Sequence, residues 1–156
     1  MNCAWLSQAQ LNNQLKNMEE EKWVLWSNEK FEIFTLTNPH LSPEEGLHIV
    51  VWPKTNVSSA WADPDLCAEA FKIATKVSQV MEELKLAPWF NLQANGNWGL
   101  LPGSVPRFHV HVYARRKGKT WAMPVQLPFA PGTYHNEPMA EIERESLSEA
   151  LKRKLN

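Results

Sequence analysis

Ten residues of this chain, Arg107 to Arg116, read RFHVHVYARR. Phe108, Val110 and Val112 alternate with Arg107, His109, His111 and Tyr113. Successive side chains of a β-strand point to opposite faces, so a strand here buries Phe-Val-Val and presents Arg-His-His-Tyr together. At roughly 3.3 Å of rise per residue, the two imidazoles stand about 6.6 Å apart, side by side on what should be the uncovered face of a sheet.

Three chemistries fit such a face. In the plainest, the polar residues line the solvent side of a half-buried strand; that accounts for the alternation but not for histidine twice. The second is a metal site. Imidazole ligates zinc, yet a site needs three or four protein ligands, here His109, His111 and one of His40, His48 or His135. No HExxH, CxxC or nearby carboxylate pair supports it. In the third, a neutral imidazole attacks phosphorus and forms a covalent intermediate, while the second imidazole bonds the phosphate or assists the leaving group. A neighbouring arginine favours the neutral, nucleophilic form of histidine and attracts the anion.

The composition frames these options. A chain of 156 residues is one ordinary domain with room for a sizeable core. Lys plus Arg number 16 against 17 Asp plus Glu, a net charge of −1, so no whole-protein field draws in nucleic acid or an anionic membrane. The run Arg115, Arg116, Lys117 and Lys119 could form a local basic patch, but reads more simply as a solvated turn after the strand. Cys3 and Cys67 make neither a CxxC nor a disulfide framework, which suits a reducing compartment, and we expect a cytoplasmic protein. The first residues lack the basic-then-apolar pattern of a secretory signal. No apolar run of about 18 residues occurs, so no membrane partner is expected.

The elements that must position the strand follow from period and punctuation. Ser7 and Gln10 resemble a capping box, and Leu11, Leu15 and Met18 continue a short helix over residues 8–20. KWVLW and KFEIFTLT, split by the polar SNE, read as a hairpin; LHIVVW is a third strand closed by Pro53. Asp63-Pro64 opens a helix. There Leu66, Ala70, Ile73, Val77, Met81 and Leu84 form an apolar stripe over about 22 residues, ended before Pro88. WFNLQAN and RFHVHVYAR are a fourth and a fifth strand, paired as a second hairpin. An ordered loop then leads to a terminal helix after Pro138, with Lys and Arg in its last turn. The expectation is an α+β fold: an antiparallel sheet of about five strands, the long helix on one face, and helices at both termini. Residues 1–21 form an N-terminal extension, 22–117 the body, and 118–156 a loop and helix packed on the same domain.

The segment GSVPRFHVHVYAR resembles the signature of the histidine-triad (HIT) superfamily, approximately G-Q-[ST]-V-P-H-φ-H-φ-H-φ-φ-P-R with φ apolar. Ser104, Val105 and Pro106 match its S-V-P, His109 its middle histidine, His111 its third, and Arg115 its trailing arginine. LHIVVWPK is similar to the family's G-H-x-L-V-x-P-K strand, with His48 on the histidine, and LQANGNWG to the strand and turn before the signature. The resemblance spans residues 22–117. Arg107 replaces the first histidine, and Gly103 the usual glutamine. A second register, with His109 first, His111 middle and Tyr113 third, would make His111 the nucleophile.

The resemblance implies a nucleotidyl hydrolase or transferase acting on a nucleoside phosphate ester, anhydride or phosphoramidate. His109 would attack the α-phosphate and form a nucleotidyl-histidine. His111 would contact the phosphate, Ser104 and Asn95 would bind it, and His48 would line the pocket. Arg107 would sit at the substrate too, but its side chain accepts no hydrogen bond, so the contact orienting the nucleophile would change or be lost. No metal or other cofactor is implied; the partner is a nucleotide substrate, and a homodimer through the long helix and an edge strand is compatible with the family. Two further readings are a nucleotide-binding protein without efficient turnover and a His109-x-His111 metal-binding domain. Several residues also have plainer roles: His48 as a hydrogen-bonded core histidine, Asn95 to Asn97 as a turn, Trp98 and Trp121 as packing. His40 and His135 fall in loops with no assigned role.

Overall fold

A computed structural model describes residues 22–100, 105–118, 120–121, 123–125 and 134–156. The expected helix over residues 8–20, Ser104 and the side chain of Trp98 lie outside the described residues. Five strands, β1 (Lys22–Ser27), β2 (Phe31–Leu36), β3 (Gly46–Pro53), β4 (Trp89–Gln93) and β5 (Val110–Arg115), form one antiparallel sheet in the order β1-β2-β3-β5-β4. The tight turn between β1 and β2 is as expected: Asn28 Oδ1 accepts from the backbone N–H of Lys30 and Phe31. The second pair differs. β4 and β5 do pair, but a long connection carrying a 3₁₀ turn, Asn97–Leu100, joins them, and β5 is inserted between β3 and β4. The strand bearing His111 is therefore central, bonded on both edges.

That strand starts later than its alternation suggests. Regular pairing begins at Val110. Pro106 has no N–H to give to a ladder, and Phe108 N–H donates instead to Val57 O at 2.7 Å. Residues 105–109 lie outside the sheet, yet Phe108 is buried while Arg107 and His109 are only partly so, and the alternation persists into them. Gly99 packs so closely on this segment that a Cβ there would lie 2.8 Å from Pro106 Cα; the turn before the signature thereby fixes where residue 106 sits.

Helix α1 (Pro64–Glu83) begins where the sequence places it, Asp63 capping Leu66 N–H at 3.0 Å with Pro64 at the first turn. It ends in a Schellman arrangement, Leu86 N–H to Met81 O and Lys85 N–H to Glu82 O, with Lys85 at φ 56° in the position glycine usually takes. Its buried side, Ala70, Ala74, Val77, Val80 and Met81, covers β3, β5 and β4. Helix α2 (Glu141–Leu155) packs on β1 and α1 through Leu147, Ala150 and Leu151. Between the helices and the sheet lies the core, which includes Phe108, Val110 and Val112 as the alternation requires. No helix among the described residues is long and apolar enough to cross a membrane.

Two expectations about the surface need correcting. Arg115 and Arg116 are not part of a solvated turn. Arg115 is buried and donates to the carbonyls of Met123 (3.1 Å) and Thr120 (2.6 Å), while Arg116 donates to Leu86 O and Pro43 O and pairs with Glu143. These arginines satisfy loop carbonyls that have no strand partner. Trp121, expected in packing, is instead well exposed.

Candidate functional site

Directly opposed residues of an antiparallel pair share a face. His48 faces Tyr113 and Val50 faces His111 across β3 and β5, while Gln93 faces His111 and Asn91 faces Tyr113 across β4 and β5. His48, His111 and Tyr113 therefore stand on the side of the sheet away from α1. That side is not open. His48, His111 and Tyr113 are all buried, and the loop after β2 brings His40 over them, its ring 4.1 Å from that of His48 and 4.6 Å from that of Tyr134. Alternation along a strand fixes which face a residue takes, but not whether a distant loop then folds across that face.

Hydrogen bonds fix the tautomers of His48 and His111. His48 Nδ1 accepts from the backbone N–H of His40 at 3.4 Å, so its Nε2 carries the proton and donates to His111 Nδ1 at 2.8 Å. His111 then carries its own proton on Nε2. His40 Nδ1 bonds the Tyr113 hydroxyl at 2.9 Å. Burial holds all these rings neutral. The His40 pKa is lowered to about 4, first by desolvation and then by the neighbouring His109. His48 and His111 are pushed well below the ordinary histidine range, first by desolvation and then by the neighbouring histidines. Burial, and then Tyr134, raises the Tyr113 phenol.

His109 lies at the edge of this cluster, half-buried, its ring 4.5 Å from that of His111 in an edge-to-face arrangement and 5.0 Å from Trp52 in a stack. Its Nδ1 lies 2.9 Å from Arg107 O. A carbonyl only accepts, so Nδ1 bears the proton and Nε2 keeps its lone pair. Desolvation lowers the His109 pKa most and the Arg107 charge lowers it further, against a raising effect of the hydrogen bond to the carbonyl. The orienting contact thus comes from the main chain of residue 107. That contact uses a group common to every residue type, so it does not depend on the side chain at position 107. The Arg107 guanidinium lies over Trp52, 4.4 Å from the ring centroid.

Of the residues singled out in the sequence, His109, His111, His48 and Arg107 come together. Asn95 lies just past the end of β4 and donates to Gln93 Oε1 at 3.2 Å, and Gln93 is the residue opposite His111 in the register. Ser104 is outside the described residues, and His135 is exposed away from the ring contacts. The sequence reading did not single out Trp52, and it named His40 only as one of three possible further metal ligands. Trp52 was recoverable, because it shares the parity of His48 on β3; His40 carried no signal beyond its residue type. Among the described residues, the histidines whose ring nitrogens lie within 4.8 Å of one another are His40, His48 and His111, without His109. The three-histidine group among the described residues is thus built on His111 but not on His109. The 2.8 Å between His48 and His111 is a hydrogen-bond distance; two nitrogens each about 2.0–2.1 Å from a tetrahedral zinc would stand about 3.4 Å apart.

No protein-family model and no curated protein matches the chain. Solved structures do. A histidine triad protein from Bradyrhizobium japonicum superposes with a TM-score of 0.64 at 20% identity, covering 90% of this chain and 95% of that one. A zinc-bound histidine triad family protein from Mycobacterium smegmatis gives 0.59 at 22% identity, covering 83% and 84%. A hypothetical histidine triad nucleotide-binding protein from Sulfolobus tokodaii gives 0.56 at 21% identity, covering 91% and 89%. The chain has the fold of the histidine-triad proteins in a divergent form.

Proposed function

We propose that this protein is a nucleotidyl hydrolase or transferase that works through a nucleotidyl-histidine on His109. One observation carries the reading: the hydrogen bond from His109 Nδ1–H to Arg107 O, which leaves Nε2 of a neutral imidazole free to attack. It also favours the register with His109 as the middle histidine, since the Nδ1 of His111 is already taken by His48. The nucleotide-binding description of the Sulfolobus protein agrees with a nucleotide as substrate.

In this reading His109 Nε2 forms a bond to the α-phosphorus as the bond to the leaving group breaks. His111 presents its Nε2–H to a phosphate oxygen, held in that tautomer by His48, which is in turn held by the His40 backbone. A donor fixed in a buried site needs no reorganisation as charge develops. Trp52 backs the His109 ring, Asn95 and Ser104 contribute to the phosphate side, and no metal is needed for the attack. The test is intact-protein mass spectrometry after incubation with nucleotides, with and without chelator. A chelator-resistant nucleotidyl adduct mapped to residue 109 is expected. Tight nucleotide binding with no adduct would instead identify a binding protein, and an adduct on residue 111 would select the other register.

A second reading has its own observation. His40, His48 and His111 bring three donor nitrogens within 4.8 Å, and one structural neighbour binds zinc. A metal there would have to break the His48–His111 hydrogen bond. It predicts stoichiometric zinc by elemental analysis, and its loss in His40→Phe.

A further inference from the structure

Arg107 is an unusual cation. Its guanidinium is stacked on Trp52, the same ring that stacks on the candidate nucleophile His109. Its Nε is buried with no hydrogen-bond partner, and among the described residues no carboxylate pairs with it. Desolvating a cation and leaving it unpaired is costly, whereas a guanidinium held flat against an aromatic ring keeps N–H donors in a fixed fork suited to a phosphate. The group that would complete this arrangement is an anion beside His109.

The identity of residue 107 also limits which leaving group the site can serve. An amine or an alcohol leaves readily only if it receives a proton; a phosphate leaves as an anion and needs only charge stabilisation. An imidazolium can give up a proton, but a guanidinium does not deprotonate and supplies only charge and hydrogen bonds. The neighbouring rings do not compensate. His111 and His48 each hold a single shared proton in a hydrogen-bonded chain, so His111 can donate a hydrogen bond but has no proton to spare.

Resting on the nucleotidyl-histidine reading, we infer that Arg107 makes this site selective for phosphate anhydrides, nucleoside di- or polyphosphates cleaved next to the α-phosphorus, over phosphoramidates and esters of nucleoside monophosphates. His109 Nε2 forms the N–P bond. The bond from the α-phosphorus to the bridging oxygen breaks, its electron pair goes to that oxygen, and the β-phosphate departs as an anion against Arg107. Water then forms the new P–O bond, the N–P pair returns to Nε2, and the proton of the water passes to solvent.

The experiment compares kcat/KM and adduct formation for ADP against adenosine 5′-phosphoramidate, and for GDP against guanosine 5′-phosphoramidate. The full chain, Arg107→His and Arg107→Lys are used, each first checked by thermal melting. The wild type should prefer the diphosphates. Arg107→His should move the ratio toward the phosphoramidates by about 100-fold, the size of losing one charge-stabilising donor, while Arg107→Lys should keep the preference for diphosphates. A wild type that forms the adduct but prefers phosphoramidates, or a ratio that Arg107→His leaves unchanged, overturns the role of Arg107 and leaves nucleotidyl transfer standing. No adduct from any of the four nucleotides, in the wild type or in Arg107→His, overturns the underlying reading and this assignment with it.

Discussion

The two faces of β3 and β5 are built on different principles. Toward α1, Ile49, Val51, Val110 and Val112 are fully buried and touch other apolar side chains. Those contacts are non-directional, and many apolar shapes would fill the space at modest cost. On the opposite face, His48, His111 and Tyr113 are buried almost as deeply, but they meet one another and His40 in oriented contacts: ring on ring, and nitrogen to nitrogen or hydroxyl. Burying a polar group costs free energy unless it is hydrogen-bonded. The second face is therefore tolerable only as a connected network. Similar burial thus means stability on one side of the sheet and defined tautomers on the other.

The sharpest way to break this contrast is to mutate neighbours that point opposite ways. His109→Ala should abolish the nucleotidyl adduct and lower turnover by about 10,000-fold or more, since the ring lone pairs of His48 and His111 are already engaged in hydrogen bonds; intact mass and single-turnover kinetics check it, and melting should shift little. His111→Ala removes one donor to the phosphate and should slow turnover by about 100- to 1,000-fold without moving the adduct off residue 109. Ile49→Ala, next to His48 but on the core face, should cost about 2–5 kcal/mol in denaturant unfolding while turnover per folded molecule stays near that of the wild type. A loss of activity there as large as that in His111→Ala would show that the faces are not independent.

The ring network also sets a pH dependence. His40, His48 and His111 have folded pKa values below the ordinary histidine value. The unfolded chain binds more protons than the folded one once the pH drops below about 6.5, so stability falls as the medium becomes more acidic and is fully retained above that range. For His40, lowered to about 4, the loss by pH 4 is on the order of 3 kcal/mol. Denaturant melts at pH 7 and 4.5 should show the decline, and His40→Phe, which keeps a ring against His48 but cannot titrate, should reduce it by the His40 share and leave that of His48 and His111. The smallest effect belongs to neither face. Lys85 occupies a left-handed conformation at the end of α1; Lys85→Gly should stabilise the fold by up to about 1 kcal/mol in a thermal melt and leave catalysis untouched.

Much of this was legible in the sequence. Period-two alternation sorted Phe108, Val110 and Val112 from His109 and His111 because strand geometry leaves no other choice, and the same parity applied to β3 would have added Trp52 beside His48. Asp63-Pro64 and the apolar stripe located α1, because caps and helical period act within a few residues. The strand order β3-β5-β4, the late start of β5 and the burial of the histidine face were decided elsewhere. Phe108 gives its N–H to Val57, fifty-one positions earlier in the chain. His40 reaches Tyr113 across seventy-three. Arg107 was chemically conspicuous as a missing histidine, yet its main-chain oxygen, common to every residue type, is what orients His109. Local rules fix the direction in which a side chain points. What it meets there depends on segments far away in sequence, and contacts made through the backbone leave no trace in residue identity.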